Sequence, residues 1–206
     1  MRLVLATANV GKVRELQALL ADRELQIRTL ADFPGAPSAA ETATSYLGNA
    51  RAKALAVASF CGLPALADDS GLEVDALGGA PGVRSARFAA DALGETGDAA
   101  NVALLLRRLE GIPDGRRTAR FRCVVVVARP DGAELSAEGV CEGRIAREPS
   151  GDAGFGYDPV FVYPPLGRTF AELTSAEKDC VSHRARAIAQ LKISLSAFVE
   201  GGALHR

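Results

Sequence analysis

Two adjacent aspartates, Asp68-Asp69, close the apolar run Ala65-Leu66-Ala67 and are followed by Ser70-Gly71. Carboxylates side by side repel each other and waste a buried position unless a cation sits with them. Ligands of open α/β sheets gather at the carboxyl ends of strands. Carboxylates that leave room for water and substrate phosphates describe a Mg²⁺ site. A solvated turn after a strand is the competing reading. Glu41 stands just ahead of a helical pattern, where its charge also suits the positive end of the helix dipole. Within that pattern Asn49 and Lys53 are one turn apart on one face, a spacing that a solvated pair uses as well.

Thr7-Ala8-Asn9-Val10-Gly11-Lys12 lies between an apolar run and a helical pattern. Backbone N–H groups in such a loop, with the positive end of the helix, favour phosphate. The segment is not a Walker A loop, because Ala6 takes the first glycine position and Val13 replaces the Ser/Thr that would bind magnesium. Gly154-Phe155-Gly156-Tyr157-Asp158 interleaves rings with glycine, which lets a planar base lie flat, with Asp158 as an acceptor. A glycine-rich turn with buried rings reads the same way. Ser182-His183-Arg184, shortly after Lys178, adds polar donors at the start of an apolar helix. His183 is the lone internal histidine, the other being His205. The chain has 20 Arg against four Lys (Lys12, Lys53, Lys178, Lys192), and three of those four fall in these segments. Positions that keep Lys in so Arg-rich a chain point to a need for a compact ammonium on a flexible stem.

Together these segments are an inventory for a nucleoside triphosphate. No nucleophilic Ser or Cys arrangement accompanies them, and no Gly-x-Ser-x-Gly elbow, so metal-assisted attack by water is the simplest chemistry. A non-catalytic nucleotide sensor is the alternative. The acids favour the enzyme, since a binder has no use for a second carboxylate aimed at a water. A P-loop kinase or GTPase fits less well because Val13 lacks the metal hydroxyl.

The elements that must carry these residues alternate. Leu3–Ala6 reads as a buried strand. Val13, Leu16, Leu19 and Leu20 follow at helical spacing, and residues 25–30 alternate like a half-buried strand. After a loop from Phe33 to Ala40, a helix is expected to reach about Phe60, with Leu47, Ala50, Ala54, Val57 and Ala58 on one face. The next strand is expected to stop at Asp68, with Leu72–Asp75 a possible continuation. Gly78-Gly79-Ala80-Pro81-Gly82 is followed by a helix over 99–109. Residues 117–128 form the clearest strand, and 133–147 return antiparallel after the Pro130-Asp131-Gly132 turn. Thr174-Ser175-Ala176-Glu177 is a capping box opening a helical region to about Val199. The expectation is an α/β class: one domain over residues 1–206, with a mixed central sheet, flanking helices and two lobes around a substrate cleft.

Composition agrees. The chain is 48% hydrophobic and 24% charged with a net charge of −1, enough for a core and against a non-specific nucleic-acid binder. No apolar run approaches a membrane span, and the apolar start is too short for a signal peptide, so a cytoplasmic protein is expected. Cys61, Cys123, Cys141 and Cys180 show no CxxC pair, which argues for ordinary buried or half-buried thiols.

Five ordered segments resemble the inosine triphosphate pyrophosphatase (dITP/XTP pyrophosphatase) family. They are Leu5–Lys12, Glu41–Ala54, Ala67–Leu72 with Gly78–Gly82 and Ser85–Arg87, Gly154–Pro159, and Glu177-Lys178 through Ser182-His183-Arg184. The resemblance implies hydrolysis of ITP, dITP and XTP to the monophosphate and pyrophosphate, with Mg²⁺, in a homodimer. It implies Asp69 as general base, and Glu41 with Asp69, and Asp68 as a further candidate, as metal ligands. Substrate contacts would come from Thr7, Ala8, Asn9, Val10, Gly11, Lys12, Asn49 and Lys53 at the phosphates. Ser70, Phe155, Gly156, Tyr157, Asp158, Lys178, Ser182, His183 and Arg184 would surround the nucleoside. If Lys178 and Arg184 face the base's 6-position, a keto oxygen satisfies them and the amino group of adenine does not. Three departures cluster near Glu41: Ala43 stands where Gly is frequent, Tyr46 where Phe is usual, and Gly48 replaces a charged residue.

Overall fold

The computed structural model describes residues 1–21, 24–37, 39 and 41–201; Ser38 and Ala40 of the expected loop, and His205, lie outside them. Strands β1 (Arg2–Leu5), β2 (Gln26–Thr29), β3 (Ala65–Val74), β4 (Thr118–Ala128), β5 (Glu134–Ile145), β6 (Phe161–Tyr163) and β7 (Arg168–Thr169) form one sheet in the order β2-β1-β3-β4-β5-β6-β7. Helices α1 (Val10–Leu19), α2 (Tyr46–Cys61), α3 (Phe88–Leu93), α4 (Asp98–Arg108), α5 (Ser175–Val181) and α6 (His183–Val199) alternate with them. β1 is parallel to β2 and to β3, whereas β5, β6 and β7 pair antiparallel. β4 and β5 are neighbours joined by only five residues, which leaves them no option but to run antiparallel. The mixed sheet with flanking helices is as expected.

The chain divides into two compact units. The first holds residues 1–69, 123–139 and 184–206. Its core joins Leu3 and Leu5 of β1, Leu66, the alternate residues Cys123, Val125 and Val127, Leu16 of α1, and Ile188, Leu191, Leu195 and Phe198 of α6. α2 buries Ala50, Ala54, Val57 and Ala58 as the periodicity predicts, but Leu47 is 37% exposed and off that face. The position is taken by Tyr46 and Asn49, which are buried.

The second unit holds residues 70–122 and 140–183. Leu72, Val74, Ala119, Phe121, Cys141, Ile145, Phe161 and Phe170 pack there with Val102, Leu105 and Leu109 of the α4 region. Arg117, 3% exposed, donates to the carbonyls of Leu109, Ile145 and Ala146, which satisfies three acceptors where elements end.

Two expectations are corrected, for β3 and for Cys180. β3 does not stop at Asp68 but runs unbroken to Val74, well past Ala65 and Leu66 where β1 pairs with it, with β4 as its neighbour on the other side. The terminal helical region reaches Val199 as expected, with Ser182 extended (φ −68°, ψ 158°) between α5 and α6 so that the apolar helix opens at His183. All four cysteines are free, and Cys180 is exposed.

Candidate active site

Because β3 continues through the two aspartates, its period of two sends their side chains to opposite faces of the sheet. Asp68 points with Leu66 toward the side of α1 and α6. Its Oδ2 accepts from Lys12 Nζ at 3.0 Å, from Arg184 Nη2 at 2.9 Å, and from the Cys123 thiol at 3.9 Å. Asp69 points to the side of α2, where Asn49 Nδ2 donates to its Oδ2 at 2.9 Å and Lys53 Nζ lies 3.6 Å from its Oδ1. The repulsion expected of adjacent carboxylates is therefore relieved by their opposite orientation and by the ammonium groups of Lys12 and Lys53, each of which favours both anions.

The two faces give the acids opposite properties. Burial pushes the Asp68 carboxyl up, but Lys12, Arg184 and Lys53 overcome it and hold the group well below the usual carboxylate range. Burial raises Asp69, and Glu41 adds to that; Lys53 and Asn49 oppose it without cancelling it, so the carboxyl lies above its ordinary value. Asp68 is a fixed anion within a cation cluster, whereas Asp69 has the raised basicity a proton acceptor needs. Beside them, burial, with Asp68 adding, pushes the Cys123 thiol up to about 12, so it stays protonated.

Lys53 organises the α2 side. Its ammonium donates to Glu41 Oε1 at 2.8 Å and to the Asp68 carbonyl at 2.7 Å while facing Asp69. One cation thus draws together the oxygens a divalent ion would use, which fits Glu41 and Asp69 to a metal held by two carboxylates, water and phosphate. The Asp68 Oδ1 atom is buried with no hydrogen-bond partner. Among the described residues no three His, Cys, Asp or Glu side chains converge on one point, so substrate and water must complete any such site.

The phosphate loop is built from its own side chains. Asn9 caps α1 by accepting from the Lys12 N–H at 3.0 Å, and Thr7 Oγ1 accepts from the Asn9 N–H at 3.2 Å. This fixes the turn and sets Val10 and Gly11 in the first turn of α1, where the positive end of the helix favours an anion. Val10 is 63% exposed there.

In the second unit, the loop Gly154–Asp158 turns back on itself. Asp158, 3% exposed, accepts from the Phe155 N–H at 2.9 Å and from Lys178 Nζ at 2.5 Å. Lys178 Nζ lies 5.0 Å from the Phe155 ring centre and 5.6 Å from that of Phe170, so rings and a carboxylate jointly hold one ammonium. A Cβ on Gly154 would meet Asp158 Oδ2 at 2.0 Å, and φ is +76°, so only glycine fits. His183 stacks on Phe121 with ring centres 4.7 Å apart and planes at 15°. Ser182 and His183 are buried, and Ser70 is half-buried on β3.

Arg184 is where the arrangement departs from the expected base contact. It is 1% exposed, and its guanidinium is taken by Asp68 and by Glu15 of α1. Lys178 has its own carboxylate in Asp158. Sequence reasoning missed Glu15, although its place three residues after Lys12 puts it on the same helix face. It also missed Phe121 and Phe170, which carry no signal beyond an apolar strand and turn.

Relatives of known name share nearly the whole chain. The chain belongs to the Ham1 family, whose model matches residues 3–194. It is 49% identical over 199 residues to a dITP/XTP pyrophosphatase of Geobacillus kaustophilus, covering 97% of this chain and 96% of that one. With a dITP/XTP pyrophosphatase of Desulforamulus reducens it shares 53% identity, covering 91% and 92%. A solved Ham1 protein from Coxiella burnetii superposes with a TM-score of 0.84 at 43% identity, covering 95% and 98%. The resemblance read from the motifs is borne out.

Proposed function

We propose that this chain is a nucleoside triphosphate pyrophosphatase that hydrolyses ITP, dITP and XTP to the nucleoside monophosphate and pyrophosphate, clearing non-standard purines from the nucleotide pool. The observation that carries the reading is Asp69: a nearly buried carboxylate of raised basicity, oriented by Asn49 and flanked by Lys53 and Glu41. The relatives named dITP/XTP pyrophosphatase support the substrate class.

In this reading Asp69 accepts the proton of a water that attacks the α-phosphorus. The water oxygen bonds to that phosphorus as the bond to the α–β bridging oxygen breaks, and pyrophosphate leaves. Thr7, Asn9, Lys12 and Lys53, with the N–H groups of Ala8, Val10 and Gly11, hold the triphosphate. Glu41 and Asp69 hold Mg²⁺, which supplies neutralisation of phosphate charge when bound; Asp68 does not ligate it but keeps Lys12 and Arg184 in place. Phe155 stacks on the base; Gly156, Tyr157 and Asp158 shape its pocket, and Lys178 donates toward its 6-position. Ser70, Ser182 and His183 line the nucleoside, and Arg184 acts there through Asp68. The protein is cytoplasmic, works as a homodimer, and needs neither nucleic acid nor membrane; no helix among the described residues is long and apolar enough to cross one.

The test is product identity. Pyrophosphate, not orthophosphate, is expected from ITP and XTP with Mg²⁺, and orthophosphate as the first product would overturn the reading. Sedimentation at micromolar concentration checks the dimer.

A further inference from the structure

The loop that carries Phe155 closes on itself, with the Phe155 N–H donating to Asp158 Oδ2 at 2.9 Å and the Asp158 N–H donating to the Phe155 carbonyl at 3.2 Å. Gly154 and Gly156 both have positive φ, +76° and +64°, a region in which glycine moves freely. The position of the Phe155 ring then depends on these internal bonds together with the contacts that other elements make to the loop. Asp158 grips it from below through the Phe155 N–H and Lys178. Tyr157 Oη donates to the Ser85 carbonyl at 2.9 Å, 72 residues away in sequence. The third grip is on the residue next to Phe155: the Gly156 N–H donates at 2.6 Å to Oδ2 of Asp98, the first residue of α4.

We propose that Asp98 is a positioning residue for base recognition, its carboxylate pinning the Gly156 backbone so that the Phe155 ring is held ready beside Lys178. This rests on the reading of Phe155 and Lys178 as base contacts. A backbone N–H donating to an ionised carboxylate makes a shorter and stronger bond than one to a neutral acceptor. Asp98 lies in the first turn of α4, where its charge also favours the helix. That second role predicts a loss of stability alone and says nothing of Gly156, so the two roles separate in experiment. Neither Asp158 nor Ser85 can replace the contact, because each holds a different residue of the loop.

The experiment compares wild type, Asp98→Ala and Asp98→Asn. Asparagine keeps an oxygen acceptor for Gly156 while losing the charge. Amide hydrogen exchange is read first, without nucleotide: Gly156 is expected to lose its protection in Asp98→Ala and to keep most of it in Asp98→Asn. Kinetics follow, with IMP and pyrophosphate as product inhibitors. Asp98→Ala is expected to raise KM for ITP and weaken inhibition by IMP about tenfold, the scale of one lost charge-assisted hydrogen bond. The kcat and inhibition by pyrophosphate are expected to stay within about twofold, since the phosphate-binding groups are untouched. Asp98→Asn is expected to restore most of the affinity for IMP. Unchanged Gly156 exchange in Asp98→Ala overturns the proposal, as does equal weakening of IMP and pyrophosphate. A wild type that releases no pyrophosphate from ITP overturns the proposed function and the role in base recognition with it. That failure is distinguishable from failure of the anchor, which the exchange measurement reads with no nucleotide present.

Discussion

At the scale of single residues, Asp68 and Asp69 face different partners and shift in opposite directions, and the proposed chemistry rests on that contrast. Asp69→Asn is expected to retain substrate affinity and lose most of its turnover, by at least about 10²-fold, because an amide neither accepts the water's proton nor ligates a divalent ion. Inhibition by a non-hydrolysable ITP analogue, measured beside kcat, checks both halves, and near-normal kcat would remove Asp69 from its role. Asp68 is tested by stability. Its carboxyl titrates below its ordinary value of 3.8 in the folded protein. A depressed carboxylate contributes stability that is fully present above that ordinary value and is lost as pH falls toward the folded one. Urea unfolding between about pH 3 and pH 7 should therefore show wild type losing stability below about pH 4, and Asp68→Asn losing less over the same range. At pH 7 the variant should be weaker by about 3–5 kcal/mol, because Lys12 and the fully buried Arg184 lose their shared counter-charge.

At the scale of elements, the start of α2 shows two departures from the family pattern compensating each other. A Cβ built on Gly48 would lie 2.8 Å from the Ala43 Cβ and 3.1 Å from Ser45 Oγ, the N-cap of the helix. Ala43 thus occupies the space a side chain at position 48 would need. The Ala43 N–H is itself held by Asn49 Oδ1 at 3.0 Å, while Asn49 Nδ2 orients Asp69, so a clash there reaches the proposed base. Gly48→Ala alone is expected to cost about 1–3 kcal/mol through overpacking. Combined with Ala43→Gly it should cost under about 1 kcal/mol, a coupling that a double-mutant cycle in thermal unfolding measures. Additive effects would show that the two departures are independent.

At the scale of the whole molecule, the residues proposed to hold the phosphates, Thr7, Asn9, Lys12 and Lys53, belong to the first unit, and Phe155 and Lys178, proposed for the base, to the second. Base choice should therefore follow Lys178 and not Arg184. Lys178→Met keeps the volume and removes the donor, so kcat/KM for ITP should fall while that for ATP changes little, narrowing selectivity by about 10-fold or more. Arg184→Ala should lower kcat/KM for ITP, XTP, GTP and ATP in similar proportion, because its damage passes through Asp68 and Lys12. Selectivity that collapses in Arg184→Ala alone would return that residue to the base.

Much of this protein was legible in its sequence because the signals are local. The Thr174–Glu177 capping box and the 3.6-residue apolar spacing of α2 are written within a few residues of where they act. The motif residues were found for the same reason: phosphate loops and glycine–aromatic turns need particular residues at particular spacings. What the sequence left open was partnership over distance. Reading β3 as ending at Asp68 hid the alternation that parts the two aspartates, and only the flanking strands of the sheet show that it continues. Arg184 finds Asp68 across 116 residues, and Gly156 finds Asp98 across 58. No spacing rule links such pairs. A buried charge takes whichever opposite charge packing brings within reach, since leaving it unpaired costs more than any local preference it could satisfy. Residue types and local spacing thus determined the elements and the class of chemistry, and the tertiary structure decided which carboxylate is held among Lys12 and Arg184 and which lies beside Asn49 with its basicity raised.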